Sequence, residues 1–204
     1  MANRDTIEPL SARNDARRAY RKARNSLSKD QQSSAAITLT AQFKQHSIYA
    51  SARRVALYLS NDGEVSTEHL IDHLWEHKTE VYLPVLHPFA SGYLLFLRYQ
   101  PHTPMKKNRF GILEPTLDCS AVCPASQLDI IFTPLVAFDV HGNRLGMGGG
   151  FYDRTLAGIK SSGADRPAIV GLAHECQKSA NLPVETWDIP LSYVQTPLQL
   201  YPFT

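Results

Sequence analysis

The sequence predicts an α/β protein of three layers, helix, sheet and helix, built on a central and mostly parallel sheet. Three observations predict it. Short apolar runs at 55–59, 81–85, 128–132 and 168–172 have the length and flanking turns of buried strands. Between the first two, Leu70, Ile71, Leu74 and Trp75 recur at helical spacing, so the order there is strand, helix, strand. The chain has 204 residues, 43% of them hydrophobic, which is enough to close a large core without disulfides; no composition shift marks a boundary, so one domain over 1–204 is expected.

The elements follow in order. Arg13, Arg17, Arg18, Arg21, Lys22, Arg24 and Lys29 make a basic run opposed only by Asp15, and its alanines and long straight side chains favour helix. Arg13, Arg17, Arg21 and Arg24 fall at spacings that share one helical face. That face is either solvated or grips a polyanion such as nucleotide phosphate. Ser28 has the character of an N-cap for a second helix reaching about 46. The strand at 55–59 ends in the turn Ser60-Asn61-Asp62-Gly63, and a helix over 67–77 leads to the strand at 81–85. A further strand is expected at 93–99, then a long polar excursion over 100–124. The runs at 128–132 and 168–172 and a short strand at 193–195 complete the sheet.

Charge and composition exclude several functions. A net charge of +2 provides no field for nucleic acid or an anionic membrane, although the basic first helix keeps a nucleic-acid module as a rival reading. No run approaches the roughly 18 apolar residues of a membrane span, and nothing near Met1 resembles a signal peptide. Three cysteines form neither a disulfide framework nor a recognisable zinc pattern, so a cytoplasmic protein is expected.

The chemistry concentrates at 133–154. Gly146, Gly148, Gly149 and Gly150 lie within five residues, after a predicted strand and before a predicted helix starting near Phe151 or Tyr152. Glycine admits positive φ and close approach of backbone to an anion, and N–H groups at a helix start favour phosphate. The alternative is a glycine-rich turn with no ligand. Asp153 directly follows, where a carboxylate serves either Mg²⁺ beside phosphates or the helix dipole. Arg144 precedes the loop and suits phosphate charge, and Asp188 is a candidate second carboxylate.

The stretch 143–154, together with Tyr82-Leu83-Pro84-Val85, Gly111-Ile112, Glu114-Pro115, Leu182-Pro183 and Trp187-Asp188, resembles the 5-formyltetrahydrofolate cyclo-ligase family through nearly the whole chain. The resemblance implies ATP-dependent cyclisation of 5-formyltetrahydrofolate to 5,10-methenyltetrahydrofolate, with ADP and phosphate released, and a fold like that of the ribose-phosphate isomerase and CoA-transferase superfamily. It implies ATP contacts at Arg13, Arg17, Arg144, Leu145, Gly146, Met147, Gly148, Gly149, Gly150, Phe151 and Tyr152. Substrate contacts would be Leu59, Glu64, Met147, Gly148, Gly149, Gly150 and Phe151. Arg144 and Asp153 would be catalytic, and Asp153 and Asp188 would hold Mg²⁺. The family's usual lysine and leucine near the N-terminus are here Arg13 and Ala16, and many relatives have a basic residue where this chain has Met147 or Gly149. A carboxylate at Glu64 suits the paired N–H groups of a pterin edge; without the resemblance it would be read as an exposed turn acid. A binding protein without turnover is the other rival reading, and a monomer is expected.

Overall fold

The computed structural model describes residues 7–159 and 167–203. In chain order its elements are α1 (Ile7–Asn25), α2 (Lys29–Gln45), β1 (Arg54–Ala56), α3 (Glu68–Glu76), β2 (Glu80–Leu86), β3 (Leu94–Tyr99), β4 (Met105–Lys107), β5 (Leu113–Pro115), β6 (Val122–Cys123), β7 (Ile130–Pro134), β8 (Ala137–Asp139), β9 (Arg144–Leu145), α4 (Phe151–Ala157), β10 (Ala168–Leu172), β11 (Lys178–Ser179), β12 (Tyr193–Gln195) and β13 (Leu200–Pro202). None of the described helices is long and apolar enough to cross a membrane.

The main sheet has the order β13-β12-β10-β7-β1-β2-β3-β6. Its centre, from β12 through β10, β7 and β1 to β2, is parallel. Antiparallel strands close both edges: β13 on one side, β3 and β6 on the other. Alternation along the strands assigns their faces. Val55, Leu57, Ile130, Phe132, Val170 and Leu172 pack against Leu39 and Phe43 of α2 and against Leu70, Ile71 and Leu74 of α3. Ala56, Tyr82, Phe96 and Ile131 turn to the opposite face, where Leu156 of α4 and Ile159 cover them. Helices on both faces give the three layers the sequence predicts, and strands buried on both faces read as continuous apolar runs.

Local signals hold as well. Ser28 caps α2 in a reciprocal capping box with Gln31. The excursion over 100–124 contains the hairpin of β4 and β5 and the edge strand β6. A small sheet of β11, β8 and β9 has no counterpart among the sequence-based expectations. Helix α1 stands outside the two helical layers. It lies against β8 and the 3₁₀ turn Glu175–Gln177, with Ala16 and Tyr20 on the cluster of Ala137, Leu145 and Leu182. This sets it across the loops that leave the carboxyl ends of β1 and β7, where open parallel sheets hold their ligands.

Candidate active site

These loops and α1 enclose a cleft of about 880 Å³. The glycine loop forms one wall. Gly148 and Gly150 take φ of +95° and +64°, which L side chains rarely adopt, while Gly149 stays outside the positive-φ region. What Gly149 needs is room: a Cβ there would sit 2.8 Å from the Phe151 ring. Arg154 fastens the loop by donating to the carbonyls of Gly149 and Gly92.

Arginines from α1 and β9 face this wall. Arg13 grips both oxygens of Asp188 at 2.6 and 3.1 Å and also donates to Pro183 O. That carboxylate raises the proton affinity of Arg13. Arg17 donates to Gly146 O at 2.9 Å and to Asn14 Oδ1 at 2.8 Å, so its bonded partners among the described residues are neutral. Burial, and then the Arg13 charge, lower its proton affinity. Both effects describe a cation short of a counter-charge. Arg144 is buried, donates to Asp153 Oδ1 at 2.6 Å and stacks over the Tyr152 ring.

The opposite wall is the turn after β1. Glu64 is a largely covered acid, not an exposed one: its side chain is 11% exposed. Its Oε2 accepts from Asn61 N at 3.0 Å, and Arg24 stops 3.9 Å from Oε1. Burial pushes its carboxyl up to about 7, against the smaller downward pull of the Asn61 hydrogen bond and of Arg24. Leu59 lines the cleft beside it. The hydroxyls of Tyr58 and Tyr152 and Nε of Arg144 are buried here without a hydrogen-bond partner. Buried polar atoms are normally paired, so three orphans around one cavity point to a polar ligand.

The structure thus brings Arg13, Arg17, Leu59, Glu64, Arg144, Gly146, Met147, Gly148, Gly149, Gly150, Phe151, Tyr152, Asp153 and Asp188 to one cleft. Leu145 is the exception. Its side chain is buried with Ala137 and Leu182, and its carbonyl accepts from Val136 N. Sequence reasoning placed Arg24 on the basic helical face without a role of its own, and missed Tyr58 and the apolar rim of Phe110 and Trp187. Phe110 packs edge-on to Phe151. Its only signal was a place in the polar excursion, and Trp187 stood in a quoted motif without a role. Among the described residues, one group of three metal-ligating side chains converges, His73, Glu76 and His77 at the end of α3, and none of them lines the cleft.

Known proteins of this shape and sequence bear on the assignment. The model of the 5-formyltetrahydrofolate cyclo-ligase family matches residues 10–197. The 5-formyltetrahydrofolate cyclo-ligase of Haemophilus influenzae is 52% identical over 183 residues, covering 88% of this chain and 94% of that protein. The Escherichia coli K12 enzyme of the same name is 47% identical over 181 residues, covering 89% and 98%. The solved 5,10-methenyltetrahydrofolate synthetase of Aquifex aeolicus superposes with a TM-score of 0.79 at 27% identity, covering 93% of this chain and 92% of that one. With sequence, fold and cleft in agreement, the chain belongs to the 5-formyltetrahydrofolate cyclo-ligase family.

Proposed function

We propose that the cleft binds ATP along the glycine loop and 5-formyltetrahydrofolate against Glu64, and joins them in one reaction that yields 5,10-methenyltetrahydrofolate, ADP and phosphate. The observation that carries this reading is the pairing of opposite chemistries across one cavity. Arg13, Arg17 and Arg144 meet a glycine-rich backbone on one wall; a largely covered carboxylate with unpartnered hydroxyls beside it forms the other.

The chemistry follows from the substrate. A formyl amide carbon is a poor electrophile, and its oxygen a poor leaving group. The formyl oxygen attacks the γ-phosphorus and ADP departs. N10 then adds to the activated carbon and loses its proton, and the former formyl oxygen leaves with phosphate. Arg17 and Arg144 stabilise charge on the phosphoryl oxygens, and backbone N–H groups from Gly148 to Phe151 hold the phosphate chain in position. Glu64 orients the pterin by accepting its paired N–H groups. Phe110, Phe151 and Trp187 cover the ring system and exclude water.

Magnesium is the expected companion of ATP. Asp153 and Asp188 both line the cleft and offer the hard oxygen donors that Mg²⁺ prefers. Asp153 takes Arg144 and Ile189 N on Oδ1, which leaves Oδ2 without a hydrogen-bond partner among the described residues. Asp188 has both oxygens on Arg13 and a further bond from Glu185 N. The residues fit the ion: Asp153 would be the available ligand, and Asp188 a second one if Arg13 were released. Bound there, Mg²⁺ supplies neutralisation of phosphate charge.

The free thiols of Cys119, Cys123 and Cys176 support a reducing, cytoplasmic setting. The test is the dependence of ATP hydrolysis on folate. Phosphate should be released only when 5-formyltetrahydrofolate is present, one per folate consumed. Folate-independent hydrolysis, or none with both present, contradicts the reading.

A further inference from the structure

We propose that Arg24 and Asp62 are positioning residues for the folate substrate: together they hold the turn 61–64 in the conformation that presents Glu64 to the cleft, with Asp62 holding Arg24 out of hydrogen-bonding reach of it. The inference rests on the reading of Glu64 as the folate carboxylate.

Arg24 has a side chain with 0% exposure at the far end of α1. A guanidinium is buried at heavy cost unless its donors are met. Here Nε donates to Asp62 O at 2.8 Å, Nη1 to Leu135 O at 3.0 Å and Nη2 to Asp62 Oδ2 at 2.9 Å. One side chain therefore ties α1 to the loop after β7 and, twice, to the turn after β1.

That turn does not hold its shape unaided. Asp62 and Gly63 take φ of +51° and +75° in succession. Asp is among the few residues that tolerate this region, and only as a local exception. Its carboxylate is held three ways, by Arg21 at 2.7 Å, Arg24 at 2.9 Å and Asn25 at 3.1 Å. Gly63 presses on the same helix end, for a Cβ there would lie 2.3 Å from Asn25 Oδ1.

The distribution of charge has a purpose beyond shape. Arg24 bonds Asp62 and stays 3.9 Å from Glu64. If it closed on Glu64 instead, it would occupy the carboxylate the pterin needs. Asp62 absorbs Arg24 and Arg21, and Glu64 keeps its lone pairs. The charged and titratable groups facing Glu64 are Arg24 from α1, Asp62 from its own turn, Tyr58 beyond β1 and Tyr152 from α4.

Asp62→Asn in the full chain decides the matter, with Arg24→Met as its complement and Glu64→Gln as the control. Losing Asp62 frees Arg24 to pair with Glu64, so the folate KM should rise about tenfold, while the ATP KM stays within about twofold. The acid limb of the folate kcat/KM profile should move to lower pH in Asp62→Asn, because a negative neighbour is gone. It should move to higher pH in Arg24→Met, because a positive one is gone. A stability role alone would lower the melting temperature and move neither limb. Asp62→Asn with an unchanged folate KM and acid limb overturns the proposal, whatever its melting temperature, provided Glu64→Gln still raises the folate KM. If Glu64→Gln leaves that KM unchanged, the folate role of Glu64 fails, and the proposal fails with it.

Discussion

The two halves of α1 deliver the same kind of side chain to opposite walls of the cleft and use it in different ways. In the first half, Arg13 holds a carboxylate of the cleft, and Arg17 holds only a loop carbonyl and Asn14. On the function proposed above these partners are exchangeable: phosphate would replace the carbonyl at Arg17, and Asp188 would turn from Arg13 to a metal ion. In the second half, Arg21 and Arg24 converge on Asp62, and Arg24 adds two backbone carbonyls. Those bonds fix a strained turn and have no better partner to leave for. For the buried pair Arg13 and Arg24, what separates a ligand-facing cation from a scaffold cation is therefore the set of partners, since helix face and burial are alike. Arg13 and Arg24 are both buried, on one helix face.

The sharpest way to break this comparison is at the exchangeable wall. Asp153→Asn should lower turnover by about 10²–10³, the scale of losing one preorganised electrostatic group, and leave folate affinity nearly unchanged. Raising magnesium should recover little of the loss. Near-normal turnover at ordinary magnesium would remove Asp153 from the phosphate side.

Glu64→Gln probes the opposite wall. Folate affinity should fall about ten- to hundred-fold, roughly 1.5–3 kcal/mol for a charged hydrogen bond, with ATP affinity intact. Acid should produce a related effect in the native chain. Burial holds the Glu64 carboxyl at about 7, and only the ionised form accepts both pterin N–H groups. Folate affinity is thus full above that pH and falls as pH drops through it, a dependence that Glu64→Gln should flatten. Equal losses for ATP and folate in the variant would merge the two walls into one site.

Gly149→Val should weaken ATP while sparing folate less completely, since Phe151 borders both. The cause is crowding: the valine would displace the Phe151 ring, an overpacking of about 1–3 kcal/mol, and φ at this position is ordinary. Calorimetric titration with ATP, beside a thermal melt, separates lost binding from lost stability. Unchanged ATP affinity in a folded variant would take the phosphates off the loop. The smallest effect is expected at the edge of the fixed wall. Arg21 is half exposed and is one of three donors to Asp62, so Arg21→Gln should cost under about 1 kcal/mol in a melt and leave both KM values alone.

Much of this arrangement is legible in the residues themselves. The apolar runs at 55–59 and 81–85 around a periodic helix yield the parallel unit β1–α3–β2, because strands buried on both faces need uninterrupted apolar side chains. The glycine loop announces itself because its backbone excludes side chains at Gly148 and Gly150. The small sheet of β8, β9 and β11 was illegible, for strands of two or three residues carry no period. Arg24 was hidden in a basic run that reads as solvated or as a polyanion grip, neither of which is a structural tie, and Glu64 in a turn that by itself reads as exposed. Arg24 is buried against Leu135, and Glu64 is largely covered beside Arg24 at the end of α1, long-range neighbours that no local pattern records.

If the two walls serve one reaction, the absorbance of its product should report it. Methenyltetrahydrofolate absorbs in the near ultraviolet, and 5-formyltetrahydrofolate does not share that band. Purified protein mixed with 5-formyltetrahydrofolate, ATP and magnesium should generate the band with a matching amount of ADP, and nothing when ATP is omitted. A chain that binds both ligands by calorimetry and yields no ATP-dependent absorbance would be a binding protein, and the cyclisation assigned to this cleft would be wrong.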